Sequence, residues 1–295
     1  MTVKLLVLNG KEIVIETLGE RPLDPKLIYL VSKVCSHPLY SKFYPKLHII
    51  LDPNLKLDGV IKFEEIQNGK YIIRINPDTK NDFERVLIHE MVHVFQSSIN
   101  FHLPRLRAGG QKLNKALKDV QIVLSKKKGP EIKNYYPILR IALYQLMEVP
   151  WMEGLANFMD KYHSVYGDTL YPNLNKILTE EWPNVYQLMT QATHIFEQLC
   201  ILDNSEIKNL AAYVARIKSN IHKFSPYAVL VIFASQEVTS LQTLLEMNPR
   251  EFIRIYVKAS KKIGLQPLIG INCGVFNYKN LLENHLLVEY KKYGE

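Results

Sequence analysis

Two periodicities share this chain. Up to about residue 76, apolar residues alternate with polar ones or form short β-branched runs, the pattern of strands. Val3–Leu8 and Lys11–Glu16 flank Asn9-Gly10, a pair suited to a tight hairpin turn. Leu47–Leu51 and Val60–Ile66 are further strands, and Asn68-Gly69 turns the second back into Lys70–Ile75. A helix is predicted over Pro25–Cys35. After Asn76-Pro77-Asp78 the apolar spacing lengthens to three and four residues, and Asp82 or Asn81 caps a helix running through Arg85–Gln96. Helical spacing then dominates, over 105–127, 135–147, 150–163, 174–179, 184–201, 205–221, 226–237, 239–246, 249–263 and 277–292, with Ser225-Pro226 and Asn248-Pro249 as starts. The expectation is an α+β chain. A small, mixed or antiparallel β-rich lobe over 1–100 ends in the Arg85–Gln96 helix. A mainly helical lobe over 101–295 completes one compact unit.

The Arg85–Gln96 helix carries the chemistry. Val86, Leu87, Ile88, Met91, Val92, Val94 and Phe95 make it apolar, yet it holds His89, Glu90 and His93. Residues four apart lie one above the other on a helix, so both imidazoles can reach one cation. Glu90 is one step round, placed to touch a water on that cation rather than to bind it. Isolated polar groups on a buried helix are unfavourable, and a metal would supply the missing partner. The pattern is H-E-x-x-H, the zinc-hydrolase arrangement.

A catalytic zinc usually takes three protein ligands and leaves a position for water. A histidine six residues after His93 is excluded, because Ile99 stands there. The best third ligand is Glu153, in Val149-Pro150-Trp151-Met152-Glu153-Gly154-Leu155-Ala156-Asn157-Phe158. Pro150 suits a first helical turn, and Trp151, Leu155, Phe158 and Met159 form an apolar face that can pack on the zinc helix. Gly154 and Ala156 permit close approach. Asn157, one turn on, could orient a ligand. Glu148 and Asp160 are the fallback ligands.

These segments resemble the gluzincin peptidases, nearest the aminopeptidase N and thermolysin-like catalytic domains, whose Trp-Leu-x-Glu-Gly-Phe-Ala segment is similar to Trp151–Ala156. The resemblance covers mainly residues 70–100 and 148–160, with a weaker echo near 225–256. It implies a zincin-like fold, Zn²⁺ held by His89, His93 and Glu153, and Glu90 as general base in peptide-bond hydrolysis. It also implies that Tyr227, at the start of an apolar helix, stabilises the oxyanion. His222 and His194 are alternatives for that role. The strand before the zinc helix, Tyr71–Ile75, would be the sheet edge that receives an extended peptide. This chain departs from the family in several places. About 60 residues separate His93 from Glu153, where roughly 20 is more usual, so 104–147 reads as an insertion. Asn157 replaces an aspartate. The Lys-Gly that follows the tyrosine is Val229-Leu230. The Gly-x-Met-Glu-Asn segment that grips a free amine in aminopeptidases has no counterpart before His89, which favours an endopeptidase.

Charge and composition add boundaries. The net charge of +8 invites a nucleic-acid reading, but no such motif accompanies it. Lys126-Lys127-Lys128 closes a predicted helix, where lysines complement the dipole, and Lys261-Lys262 and Lys291-Lys292 read as solvated helix faces. Cys35, Cys200 and Cys273 are odd in number and far apart, which fits a reducing compartment. No apolar run reaches the ~20 residues of a membrane span. The first residues read as a hairpin rather than a secretory signal. The expectation is a cytoplasmic zinc peptidase acting on peptide or unfolded protein. The alternatives are a zincin-fold binding or regulatory module with little turnover, and a basic nucleic-acid-binding protein with a structural metal.

Overall fold

A computed structural model of the chain describes residues 2–8, 10–19, 22–36, 46–62, 70–79, 82–99, 149–163, 170–201, 210–270 and 276–277. The predicted helices 105–127 and 135–147, residues 278–292 of the predicted helix 277–292, the insertion 104–147, Lys126–Lys128, Lys291-Lys292, Glu148 and Cys273 lie outside these residues. The chain is mixed α+β and divides into two compact units. One comprises Met1–Pro104 and Ala156–Leu170, the other Arg105–Leu155 and Tyr171–Glu295.

The first unit is built on a five-stranded sheet. Its strands are β1 (Thr2–Leu8), β2 (Lys11–Thr17), β3 (Lys46–Leu51), β4 (Gly59–Lys62) and β5 (Lys70–Ile75), ordered β1-β2-β3-β5-β4. The β1/β2 and β4/β5 pairs are antiparallel, and β3 runs parallel to both β2 and β5. The parallel step from β2 to β3 needs a crossover, which helix α1 (Pro25–Ser36) provides. Register aligns Ile13, Leu47 and Tyr71, and likewise Ile15, Ile49 and Ile73, on one buried face. Helix α2 (Phe83–Ile99) packs against β4, β5 and α1.

One expectation is corrected here. Tyr71–Ile75 is not the edge of the sheet, because β5 lies between β3 and β4 and β4 takes the outer position. β5 is the last strand of this sheet in chain order. Parallel pairing with β3 then drew it inward.

A helix over 149–158 continues into a π-helical turn, Met159–His163, in which the backbone ladder lengthens by one residue. In the second unit, α3 spans Leu170–Ile201, α4 Leu210–Ala234, α5 Leu241–Glu246 and α6 Pro249–Lys262. Two predicted breaks are absent. Residues 174–201 form one helix through Pro183, and 210–234 one helix through Pro226. An internal proline costs about 3 kcal/mol through its missing N–H. Here a continuous buried face offsets that cost: Leu174, Leu178, Val185, Met189 and Ala192 in α3, and Ile217, Ile221, Phe224, Ala228 and Val231 in α4.

Ser240 and Asn248 cap α5 and α6, each accepting a backbone N–H three residues on. Trp151 is fully buried, and its indole donates to the Leu244 carbonyl at 3.2 Å. Gly154 lies against α4, where an added Cβ would stand 2.6 Å from the Ser225 carbonyl oxygen. Two short parallel strands, β6 (Ile269–Gly270) and β7 (Phe276–Asn277), complete the described elements. Among the described residues no helix is long and apolar enough to cross a membrane.

Candidate metal centre

Asp82 starts α2, its carboxylate accepting from Glu84 N–H at 2.9 Å and its carbonyl from Val86 N–H at 3.0 Å. Leu87, Ile88, Met91, Val92, Val94 and Phe95 are buried around the helix. Glu90, His93 and Gln96 are buried with them, at 7 %, 5 % and 0 % exposure. Such groups persist in a packed interior only when they are satisfied.

The two imidazoles are held from behind. His89 Nδ1 lies 3.2 Å from Asp160 Oδ2, and His93 Nδ1 lies 3.0 Å from Gln96 Oε1. Both partners are oxygen acceptors, so each Nδ1–H donates and each proton sits on the rear of its ring. This leaves lone pairs on both Nε2 atoms, which converge to 3.1 Å with the rings edge to face. Two lone pairs do not attract. A cation between them does. Ligand distances of about 2.0–2.1 Å at a tetrahedral angle place two nitrogens about 3.3–3.4 Å apart, close to the spacing found. Glu153, on the 149–158 helix that runs on to Asp160, completes the group. One ligand atom from each of His89, His93 and Glu153 lies within 4.8 Å of the others. Two imidazoles and a carboxylate suit zinc, and these residues fit it.

Other expected residues fall into distinct places. Asp160, named as a fallback ligand, acts instead as the acceptor behind His89. Asn157, expected to orient a ligand, lines a cleft of about 330 Å³ beside His89 and Glu90. The start of β4 borders the same cleft with Asp58 and Gly59. An added Cβ on Gly59 would lie 2.8 Å from Val86 Cγ1 and 3.1 Å from Glu90 Oε1, so any side chain there would collide with Val86 and Glu90.

Tyr227 is 2 % exposed, its ring centroid 5.9 Å from that of Trp182 and 6.3 Å from that of Phe224. Its hydroxyl has no hydrogen-bond partner among the described residues, and burial raises its pKa. His222, one turn earlier on α4, has Nδ1 3.9 Å from Glu153 Oε2, an electrostatic contact longer than a hydrogen bond. His194 is exposed.

Gln96, Arg85 and Gly59 were not assigned roles from the sequence. Gln96 and Arg85 carried a signal, since one follows His93 by three residues and the other precedes His89 by four, on the same helical face. Gly59 carried none, because its role is a contact made by folding. No protein-family model matches the chain, and searches of curated proteins and of solved structures return no match.

Proposed function

We propose that the chain is a zinc-dependent peptide hydrolase of gluzincin type, with a zincin-like arrangement of edge strand and metal-binding helix. The observation that carries this reading is the pair of imidazoles locked through Nδ1, with both Nε2 atoms turned towards a common point near Glu153. Bound there, Zn²⁺ would lower the pKa of water towards ~7 and polarise the scissile carbonyl. His89, His93 and Glu153 would hold it. Glu90, one residue on from His89 and bordering the cleft, takes the proton of the attacking water and returns it to the departing amine. The absence of a Cβ at Gly59 leaves room for the Glu90 side chain. His222, partly exposed beside Glu153, is better placed than Tyr227 to donate to the developing oxyanion. An extended peptide or unfolded segment pairs with the outer edge of β4, which replaces β5 as the receiving strand.

The test joins metal analysis to cleavage of an unbiased peptide library by wild type and Glu90→Gln. The expected result is one zinc in each protein and cleavage by the wild type alone. Equal cleavage by both removes Glu90 from the chemistry. Zinc without cleavage by either protein assigns the chain to a binding module. Zinc closed by a fourth protein ligand makes the site structural, as in the nucleic-acid-binding alternative.

A further inference from the structure

Resting on the metal-site reading above, we infer that Arg85 is a positioning residue for the metal, acting through Asp160 on His89. Arg85 Nε donates to the main-chain carbonyl of Asp160 at 3.2 Å, and Arg85 Nη2 donates to Asp160 Oδ1 at 3.0 Å. The other carboxylate oxygen, Oδ2, takes the His89 Nδ1–H at 3.2 Å. One guanidinium therefore holds both the backbone and the side chain of the residue that sets His89.

Three features make this more than a surface ion pair. Arg85 and His89 are four apart on α2, so clamp and imidazole rise from the same helix face. Asp160 sits in the π-helical turn Met159–His163, and Arg85 supplies an outside donor to a carbonyl of that turn. The Arg85 side chain is 41 % exposed and that of Asp160 only 17 % exposed, so the fork closes over the carboxylate from the solvent side. Without the fork, Asp160 gains rotamer freedom, and the His89 ring loses its fixed direction. A lysine at 85 brings the same charge as a point donor and cannot reach carbonyl and carboxylate in one planar grip.

The test measures zinc affinity by competition with a chromophoric chelator, together with the visible spectrum of the Co²⁺-loaded protein and thermal unfolding of the metal-free protein. Arg85→Ala and Asp160→Ala are each expected to weaken zinc by ~10-fold or more. Arg85→Lys stays as weak as Arg85→Ala. The double variant is no weaker than Asp160→Ala alone, and the Co²⁺ bands shift alike in all four. Lys33→Ala, which breaks the exposed 2.7 Å pair with Glu84 on the same helix, leaves affinity unchanged.

Wild-type affinity in Arg85→Ala overturns the inference, as does recovery in Arg85→Lys or an additive double variant. Loss of affinity that follows loss of thermal stability also overturns it, as a merely structural role. If wild type itself binds neither zinc nor cobalt, the metal-site reading fails, and that outcome is distinct because no variant then differs from wild type.

Discussion

Helices α2 and α4 are both buried and both carry polar groups in their interiors, yet the histidines of α2 and Tyr227 of α4 are held differently. On α2 the two histidines each find a purpose-placed acceptor, Asp160 from another helix and Gln96 from the next turn. On α4 the Tyr227 ring packs beside Trp182 and Phe224, and its hydroxyl has no hydrogen-bond partner among the described residues. Built partners on α2 orient lone pairs towards a point in space, as binding requires. On α4 the Tyr227 ring fills the core while its hydroxyl is given no direction by any described residue. Burial alone therefore does not mark a functional group. The direction imposed by its partners does.

The sharpest test of that difference is Glu90→Gln, which keeps the shape of α2 but removes the proton acceptor. Cleavage is expected to fall by ~10²–10⁴-fold with zinc retained, read by peptide assay and metal analysis. His222→Ala should then lower kcat by ~10²-fold while Tyr227→Phe leaves it near wild type. The reverse order in a steady-state assay returns the oxyanion role to Tyr227.

Gln96→Leu removes the acceptor behind His93 without opening a cavity. Zinc affinity is expected to weaken by ~10–100-fold, and an unchanged dissociation constant would cancel the contrast drawn between the helices.

The smallest effect is on stability, in Tyr227→Phe. Removing an unmatched buried hydroxyl is expected to change unfolding free energy by less than about 1 kcal/mol, or to increase it. The pH dependence has a definite sign. Burial raises the folded pKa of Tyr227 above its unfolded value of roughly 10. The neutral phenol's contribution is therefore present below pH ~10 and lost as pH rises from there towards the folded pKa. Wild type should lose stability over that alkaline range more steeply than Tyr227→Phe, measured by denaturant titration at several pH values.

How much of this was legible beforehand depended on distance along the chain. The strands around Asn9-Gly10, the Asp82 cap, the start at Asn248 and the four-residue spacing of His89 and His93 follow from neighbours within a turn or two. Pro183 and Pro226 misled the reading, because a local break signal was outweighed by apolar faces that continue across it. The identity of the edge strand was also hidden, since β5 follows β4 in sequence yet pairs inward with β3.

By itself the sequence determined that two imidazoles and a carboxylate share one stretch of helix, because the α-helical repeat is a local property of the backbone. Only the tertiary structure decided which later residues meet them. Asp160 rather than Asn157 stands behind His89, and Gly59 lies beside Glu90, because these contacts join positions brought together by packing. Spacing places residues on a helix face, but the direction in which a lone pair points is set by the partner that folding delivers to the other side of the ring.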